Sequence, residues 1–144
     1  MEIYRPVIME NFAHADIIKG SDEDFTHILC VHSATETWLA VQNMCDMLVY
    51  TANKDDVKLC RSDVYDSYPI PPITPISTIG AGDTFNAGLI YGLTTHHLNK
   101  DELKYLNCEQ RDTLIGYAIR FAGHVCMSYD NYISLEFAKE VCQK

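Results

Sequence analysis

The sequence predicts an α/β layered fold, and three observations carry that prediction. Candidate strands and candidate helices alternate along the chain. Met47 to Thr51 is a continuous apolar run bounded by polar residues, the pattern of a strand covered on both faces. From Glu109 to about Met127, the residues Leu114, Ile115, Ala118, Ile119, Ala122, Val125 and Cys126 recur at helical spacing and define a wide buried face.

The elements follow in order. Tyr4 to Ala13 reads as a helix, with Pro6 in the first turn, where its missing N–H is tolerated. Asp16 to Lys19 is a short extended piece. Ser21 then caps a new helix, with Asp22, Glu23 and Asp24 in its positive first turn. Ser33 and Glu36 have capping-box spacing and open a helix that runs through Trp38, Leu39, Val41 and Met44. After the Met47–Thr51 strand, Asn53-Lys54-Asp55-Asp56 forms a turn and Val57 to Cys60 returns as a strand. Val64 to Tyr68 reads as an edge strand. Pro69, Pro71, Pro72 and Pro75 forbid helix and force an extended connector. A glycine-rich turn and an apolar helix to about Leu93 follow, then the long Glu109–Met127 helix and a short one from Leu135 to Cys142.

At 144 residues the chain fits one domain, 1–144, with no second domain. A hydrophobic share of 47% places it with globular proteins and excludes intrinsic disorder. The net charge of -9, with no stripe of Lys or Arg, repels a phosphate backbone. Nucleic acid and anionic membrane are therefore excluded as partners, and any bound phosphate must be held locally, by backbone amides or a metal. No apolar run is long enough to cross a bilayer, and Met1-Glu2-Ile3-Tyr4-Arg5 lacks the opening of a signal peptide. The chain reads as soluble and cytoplasmic. Its six cysteines form no Cys-x-x-Cys pair, so they read as reduced, mostly buried thiols. His27, Cys30 and His32 match no zinc spacing, and His96-His97 reads as a solvated helix end.

The chemistry concentrates at Gly80-Ala81-Gly82-Asp83. An extended segment enters a glycine turn that opens directly into a helix. The first amides of a helix have no intrahelical partners, and the macrodipole adds positive potential, so the turn can hold an anion. Asp83 can then act as a general base beside that anion. Taken alone, the same residues also read as a tight turn with Asp83 as a helix cap. A dinucleotide fingerprint is excluded because Phe85 stands where a third small residue is needed. A P-loop is excluded because Gly-Lys followed by Ser or Thr occurs nowhere.

The longer run Ser77-Thr78-Ile79-Gly80-Ala81-Gly82-Asp83-Thr84-Phe85-Asn86-Ala87-Gly88 resembles the C-terminal signature of the PfkB (ribokinase-like) carbohydrate kinases. The resemblance implies a ribokinase-like three-layer α/β/α fold with a mostly parallel sheet, and ATP-dependent phosphoryl transfer to a sugar hydroxyl. It implies that the amides of Gly80, Ala81, Gly82 and Asp83 stabilise the transferring phosphoryl group and that Asp83 is the base.

The family's Thr-x-Gly-x-x-Gly turn against the nucleotide phosphates falls at Thr51-Ala52-Asn53-Lys54-Asp55-Asp56. Asn53 and Asp56 replace the glycines, and both residue types tolerate left-handed backbone. The family's Asn-x-x-Glu falls at Ser21-Asp22-Glu23-Asp24, leaving Asp24 to influence Mg2+ through water, beside its reading as a cap residue. Ala122, Gly123 and Asn131 are candidates for the purine pocket, against helix packing for the first two and a turn for the third. Ser77 stands where the family often has an Asp at a monovalent-cation site, so potassium dependence is not carried over.

The resemblance covers nearly the whole chain but only the C-terminal portion of the family. The N-terminal half and lid, with most sugar-binding residues, are absent, and Met1-Glu2-Ile3 would fall in a helix that normally follows a mid-chain strand. A sheet without its first strands exposes an unpaired edge. The chain is therefore expected to form a homo-oligomer or to associate with a missing N-terminal half. The alternative is a non-catalytic nucleotide- or anion-binding remnant.

Overall fold

In the computed structural model the described residues are 4–143, so the expectation for Met1-Glu2-Ile3 lies outside them. The chain divides into two compact units, 1–70 with 99–106, and 71–98 with 107–144.

The first unit holds α1 (Arg5–Phe12), β1 (Ile17–Ser21), α2 (Asp22–Leu29), α3 (Ala34–Val41), β2 (Met47–Thr51), β3 (Val57–Arg61) and β4 (Val64–Tyr68). The strands form one sheet in the order β1-β2-β3-β4. β1 and β2 are parallel, with Ser21 beside Thr51, while β2–β3 and β3–β4 are antiparallel. The sheet is therefore mixed, where a mostly parallel one is expected. The connections explain it. Five residues join β2 to β3 and two join β3 to β4, far short of the dozen or so that a parallel crossover needs. β4 is an edge, as its alternating pattern requires, and β1 is the other.

Period-2 alternation divides the sheet's side chains between two faces. Ile18, Leu48, Tyr50 and Cys60 cluster with Phe25 of α2, Ala34 and Val41 of α3, and Cys45. Tyr50 stacks on Phe25 at 5.7 Å between ring centroids. Met47, Val49, Val57 and Leu59 on the other face are also fully buried, so apart from half-buried Thr51 and Lys58 both faces of β2 and β3 are out of solvent.

Burial raises the Cys45 thiol to about 11 and the Cys60 thiol to about 12, so neither forms a thiolate at neutral pH. Only half of the cysteines behave this way: Cys30, Cys108 and Cys142 are exposed, and all six are free. Their small size lets them sit at helix ends as readily as in the core.

Caps match the sequence closely. Ser33 Oγ accepts the Glu36 amide at 3.2 Å. The box is not closed there, because the Glu36 carboxylate takes the His32 amide at 2.8 Å instead. α3 also stops at Val41, so Met44 falls in the turn beyond it. A short 3-10 turn, Leu103–Tyr105, is invisible to hydrophobic periodicity. What fixes it is Arg61, whose guanidinium pairs with Asp63 at 2.9 Å and donates to the carbonyls of Leu103 (3.3 Å) and Leu106 (3.1 Å). A buried cation is tolerable only when its donors are matched in this way.

The second unit consists of the extended connector from Pro71, α4 (Ala81–Thr95), α5 (Cys108–Cys126) and α6 (Leu135–Cys142). α4 meets α5 at glycines. A Cβ on Gly88 would lie 2.7 Å from Ala118 Cα, and one on Gly92 would lie 2.8 Å from Leu114 Cδ2. On α5 the buried face includes Phe121, while the expected Ile119 and Ala122 are only half-buried. The difference follows from α6, whose Phe137 and Val141 pack on Phe121. His96 and His97 end α4 in solvent. Among the described residues no helix is long and apolar enough to cross a membrane.

Candidate functional site

The candidate residues fall in both units. In the first they share one end of the sheet. Parallel register sets Ser21 and Thr51 side by side at the carboxyl ends of β1 and β2, where ligands of α/β folds bind. Thr51 Oγ1 donates to the Gly20 carbonyl at 3.3 Å, tying the two strand ends together. A cleft lined by His14, Asp16, Gln42, Asn43 and Asp46 lies at the opposite ends of these strands, away from the candidate residues.

Ser21 forms a complete capping box. Its Oγ accepts the Asp24 amide at 3.1 Å, and Asp24 Oδ2 accepts the Ser21 amide at 2.8 Å. The cap reading of this pair therefore holds. It leaves Asp24 Oδ1 without a hydrogen-bond partner among the described residues, on an exposed side chain at the start of α2. No group of three or more metal-ligating side chains forms among the described residues. A magnesium ion at Asp24 would thus be held by one oxygen or through water, a mode that suits this ion.

Of the two glycine replacements, one behaves as a glycine would. Asn53 adopts φ +48, and the Asp55 amide closes the turn onto the Ala52 carbonyl at 2.8 Å. Asp56 does not adopt left-handed backbone. Its carboxylate accepts from Ser67 Oγ at 2.6 Å and pairs with Lys58 at 3.7 Å, so it is turned toward β3 and β4.

The second unit carries the signature turn. Gly80 has φ +80, in the left-handed region where an L side chain is strained, and serves as N-cap of α4 without a side-chain hydrogen bond. The Thr84 amide donates to the Gly80 carbonyl at 2.9 Å, the first bond of the helix. The Ala81 amide donates to the Thr78 carbonyl at 3.2 Å, so it is not one of the free donors that the signature leads one to expect. The amides of Gly80, Gly82 and Asp83 have no carbonyl partner among the described residues. Asp83 is exposed at the third helical position, and its carboxylate makes no hydrogen bond among the described residues. It is not a cap. An anion placed at this turn would meet free N–H groups and the positive end of a 15-residue helix.

Ser77 Oγ accepts the Ile79 amide at 3.2 Å, a local turn bond. Asn131 lies directly behind the glycine turn: a Cβ on Gly80 would sit 3.0 Å from Asn131 Cβ and 3.1 Å from its carbonyl oxygen. Ala122 is half-buried on α5. Gly123 is not a packing glycine, because a Cβ there would meet nothing within 4 Å. Sequence reasoning missed the contact at Gly88 and Gly92. Their four-residue spacing on an apolar helix was the available signal.

A family model of the pfkB family carbohydrate kinases matches residues 2–105, which include the signature turn. The chain belongs to that family. No curated protein matches the chain. Solved structures do. A double mutant of fructokinase from Vibrio cholerae O395, bound to fructose, ADP and potassium ion, superposes with a TM-score of 0.76 at 20% identity, over 88% of this chain and 39% of that one. Aminoimidazole riboside kinase from Salmonella enterica, complexed with aminoimidazole riboside and an ATP analog, gives 0.78 at 18% identity, over 96% and 45%. Adenosine kinase from Sinorhizobium meliloti gives 0.76 at 16%, over 99% and 41%. At these identities the likeness is one of fold, and it is the ribokinase-like fold of PfkB kinases. The chain spans less than half the length of each of these three proteins.

Proposed function

We propose that this chain is the nucleotide-binding, catalytic portion of an ATP-dependent carbohydrate kinase, one partial domain spanning residues 1–144. The observation that carries the reading is the uncapped Gly80 turn, with free amides and an unpartnered Asp83 carboxylate three residues into α4. In the proposed reaction Asp83 takes the proton of an acceptor hydroxyl. The oxygen–phosphorus bond to the acceptor forms as the bond between the γ-phosphorus and the ADP oxygen breaks. The amides of Gly80, Gly82 and Asp83 hold the charge that builds on the transferring group, a stabilisation that requires no reorganisation during the reaction.

Magnesium, when bound, neutralises charge on the nucleotide phosphates. Asp24 would hold it, directly or through water, by the oxygen its cap leaves free. Thr51 and Asn53 shape the turn at the ends of the parallel strands, and Asp56 supports that turn from behind. Gly123, unpacked and within a helix, costs about 1 kcal/mol relative to alanine and gains no close contact in return. A flat nucleobase passing over it would account for that cost, with Ala122 beside it. Sugars of the fructose or ribose type are the acceptors, and the residues choosing among them lie outside residues 1–144. A second copy or the family's N-terminal half would complete the site.

One observation favours a second reading, nucleotide or anion binding without transfer. Asp56 replaces a glycine and its carboxylate is committed to Ser67 and Lys58, so the backbone beside it offers no glycine-like approach to phosphate. The test is ADP production from Mg-ATP with a panel of sugars and nucleosides, with Asp83→Asn alongside. Acceptor-dependent turnover that the variant loses supports the kinase. ATP binding without turnover, even with a sugar-binding half added, supports the second reading.

A further inference from the structure

We infer that His124 is a positioning residue for the Gly80 turn, acting through the segment Met127–Ser134. That segment is held at both ends. At its start, the Cys126 carbonyl accepts the amides of Ile76 at 2.8 Å and Ser77 at 3.4 Å, so the residues entering the signature are bonded to the end of α5. In its middle, Asn131 backs onto Gly80 so closely that a Cβ there would press on Asn131 Cβ at 3.0 Å and on its carbonyl oxygen at 3.1 Å. At its far end, the Ser134 amide donates to Nε2 of His124 at 3.2 Å. Ser134 is also the N-cap of α6, accepting the Phe137 amide at 3.2 Å.

The ring of His124 is itself fixed. It stacks on Phe137 at 4.2 Å between centroids and 21° between planes, and Phe137 is buried against Phe121. An Nε2 that accepts requires a neutral imidazole with its proton on Nδ1. Protonation turns this acceptor into a donor facing the Ser134 donor, and the bond is lost. The charged groups on the elements packed against the ring are Arg120 on α5, Asp130 in the segment, and Glu136, Lys139 and Glu140 on α6. Arg120 lies over Phe137 and is ion-paired with Glu140, so that carboxylate is already committed. Losing the bond frees the far end of the segment, and with it the backing that Asn131 gives to Gly80.

The coupling of segment to turn stands on this geometry alone. Its effect on nucleotide binding rests on the function proposed above. The test is residue-resolved amide exchange on the full chain at about pH 7.5 and about pH 5.5, corrected for intrinsic rates, in the wild type and in His124→Gln, whose side-chain oxygen accepts at either pH. In the wild type, protection of the hydrogen-bonded amides of Ser128, Asp130 and Ser134 in 127–134 and of Ile76, Ser77, Ile79 and Ala81 in 76–83 is expected to fall about tenfold at the lower pH, the worth of one hydrogen bond, and His124→Gln is expected to show no such fall. A pH-insensitive wild type overturns the inference, as does a response confined to 127–134 or an equal response in the variant. Imidazole nitrogen shifts of the wild type need no variant: at the higher pH they should report the Nδ1–H tautomer, and the Nε2–H tautomer overturns the inference. Mg-ADP titrations at both pH values separate the two readings. Weaker binding at low pH in the wild type alone joins them. No ADP binding at either pH, with the exchange pattern intact, refutes the nucleotide reading and leaves the coupling standing.

Discussion

Two regions carry the residues proposed to meet the nucleotide phosphates and their metal, and they differ in how much of their hydrogen-bonding capacity the protein has already used. At the ends of β1 and β2, Ser21, Asp24, Thr51 and Asp56 all bond to their neighbours. At the Gly80 turn, the Gly82 and Asp83 amides and the Asp83 carboxylate bond to nothing among the described residues. The strand ends are a largely finished structural feature, whose spare carboxylate oxygens among the described residues are Oδ1 of Asp24 and Oδ1 of Asp56, the latter turned toward β3 and β4. The turn is a surface left incomplete in the folded chain. A residue type found in a motif therefore says less about chemistry than whether its polar atoms are still available once the chain has folded.

The sharpest way to break this contrast is Asp83→Asn. Loss of the proposed base should lower acceptor-dependent ADP production by about 10²- to 10⁴-fold while ADP affinity, measured by calorimetry, stays within a few-fold. If stability and affinity fell together, Asp83 would be a structural residue like those at the strand ends.

Second in size is Gly88→Ala, which drives a Cβ into the backbone of α5. Overpacking of this kind should destabilise the chain by about 1–3 kcal/mol, read from the urea midpoint, despite alanine's better helix propensity. A stabilised variant would mean that the α4–α5 contact yields easily.

Gly82→Val should leave the urea midpoint nearly unchanged, because Gly82 is exposed, and weaken Mg-ADP binding about tenfold by covering the free amides. Unchanged affinity would remove the turn from the phosphate site. The smallest effect is expected at Asp56→Ala. Its links to Ser67 and Lys58 lie near the surface, so stability should change by less than about 1 kcal/mol. A loss of nucleotide affinity beyond a few-fold there would make the strand ends functional after all, and the contrast between the two regions would disappear.

The sequence showed most of the fold because local signals set most of it. The bounds of β2, β4 and α6 can be read from apolar runs and caps, and both the Ser21 box and the left-handed Asn53 follow from side-chain chemistry. What it did not show depends on partners distant along the chain. Antiparallel pairing of β3 and β4 follows from connection lengths rather than composition. The 3-10 turn at Leu103 needs Arg61. At the site, the signature located the turn and its Asp. That the Ala81 amide is already used, or that the Asp56 carboxylate reaches Ser67, depends on how each turn closes on itself and its neighbours, which residue spacing does not encode.

The bonds of Arg61 to Leu103 and Leu106 also impose an order on synthesis. The chain leaves its first compact unit at Ile70 and re-enters it at Asn99, so this guanidinium must wait 42 and 45 residues for its two carbonyls. During translation, residues 1–70 emerge with that cation matched by Asp63 alone, and all of α4 is made before it finds its two carbonyl acceptors. Closure of the first unit is thereby postponed until the Gly80 turn has been made. Contacts so far apart in sequence slow folding, and here they make a nascent chain halted before Leu106 an incomplete unit rather than a smaller stable one.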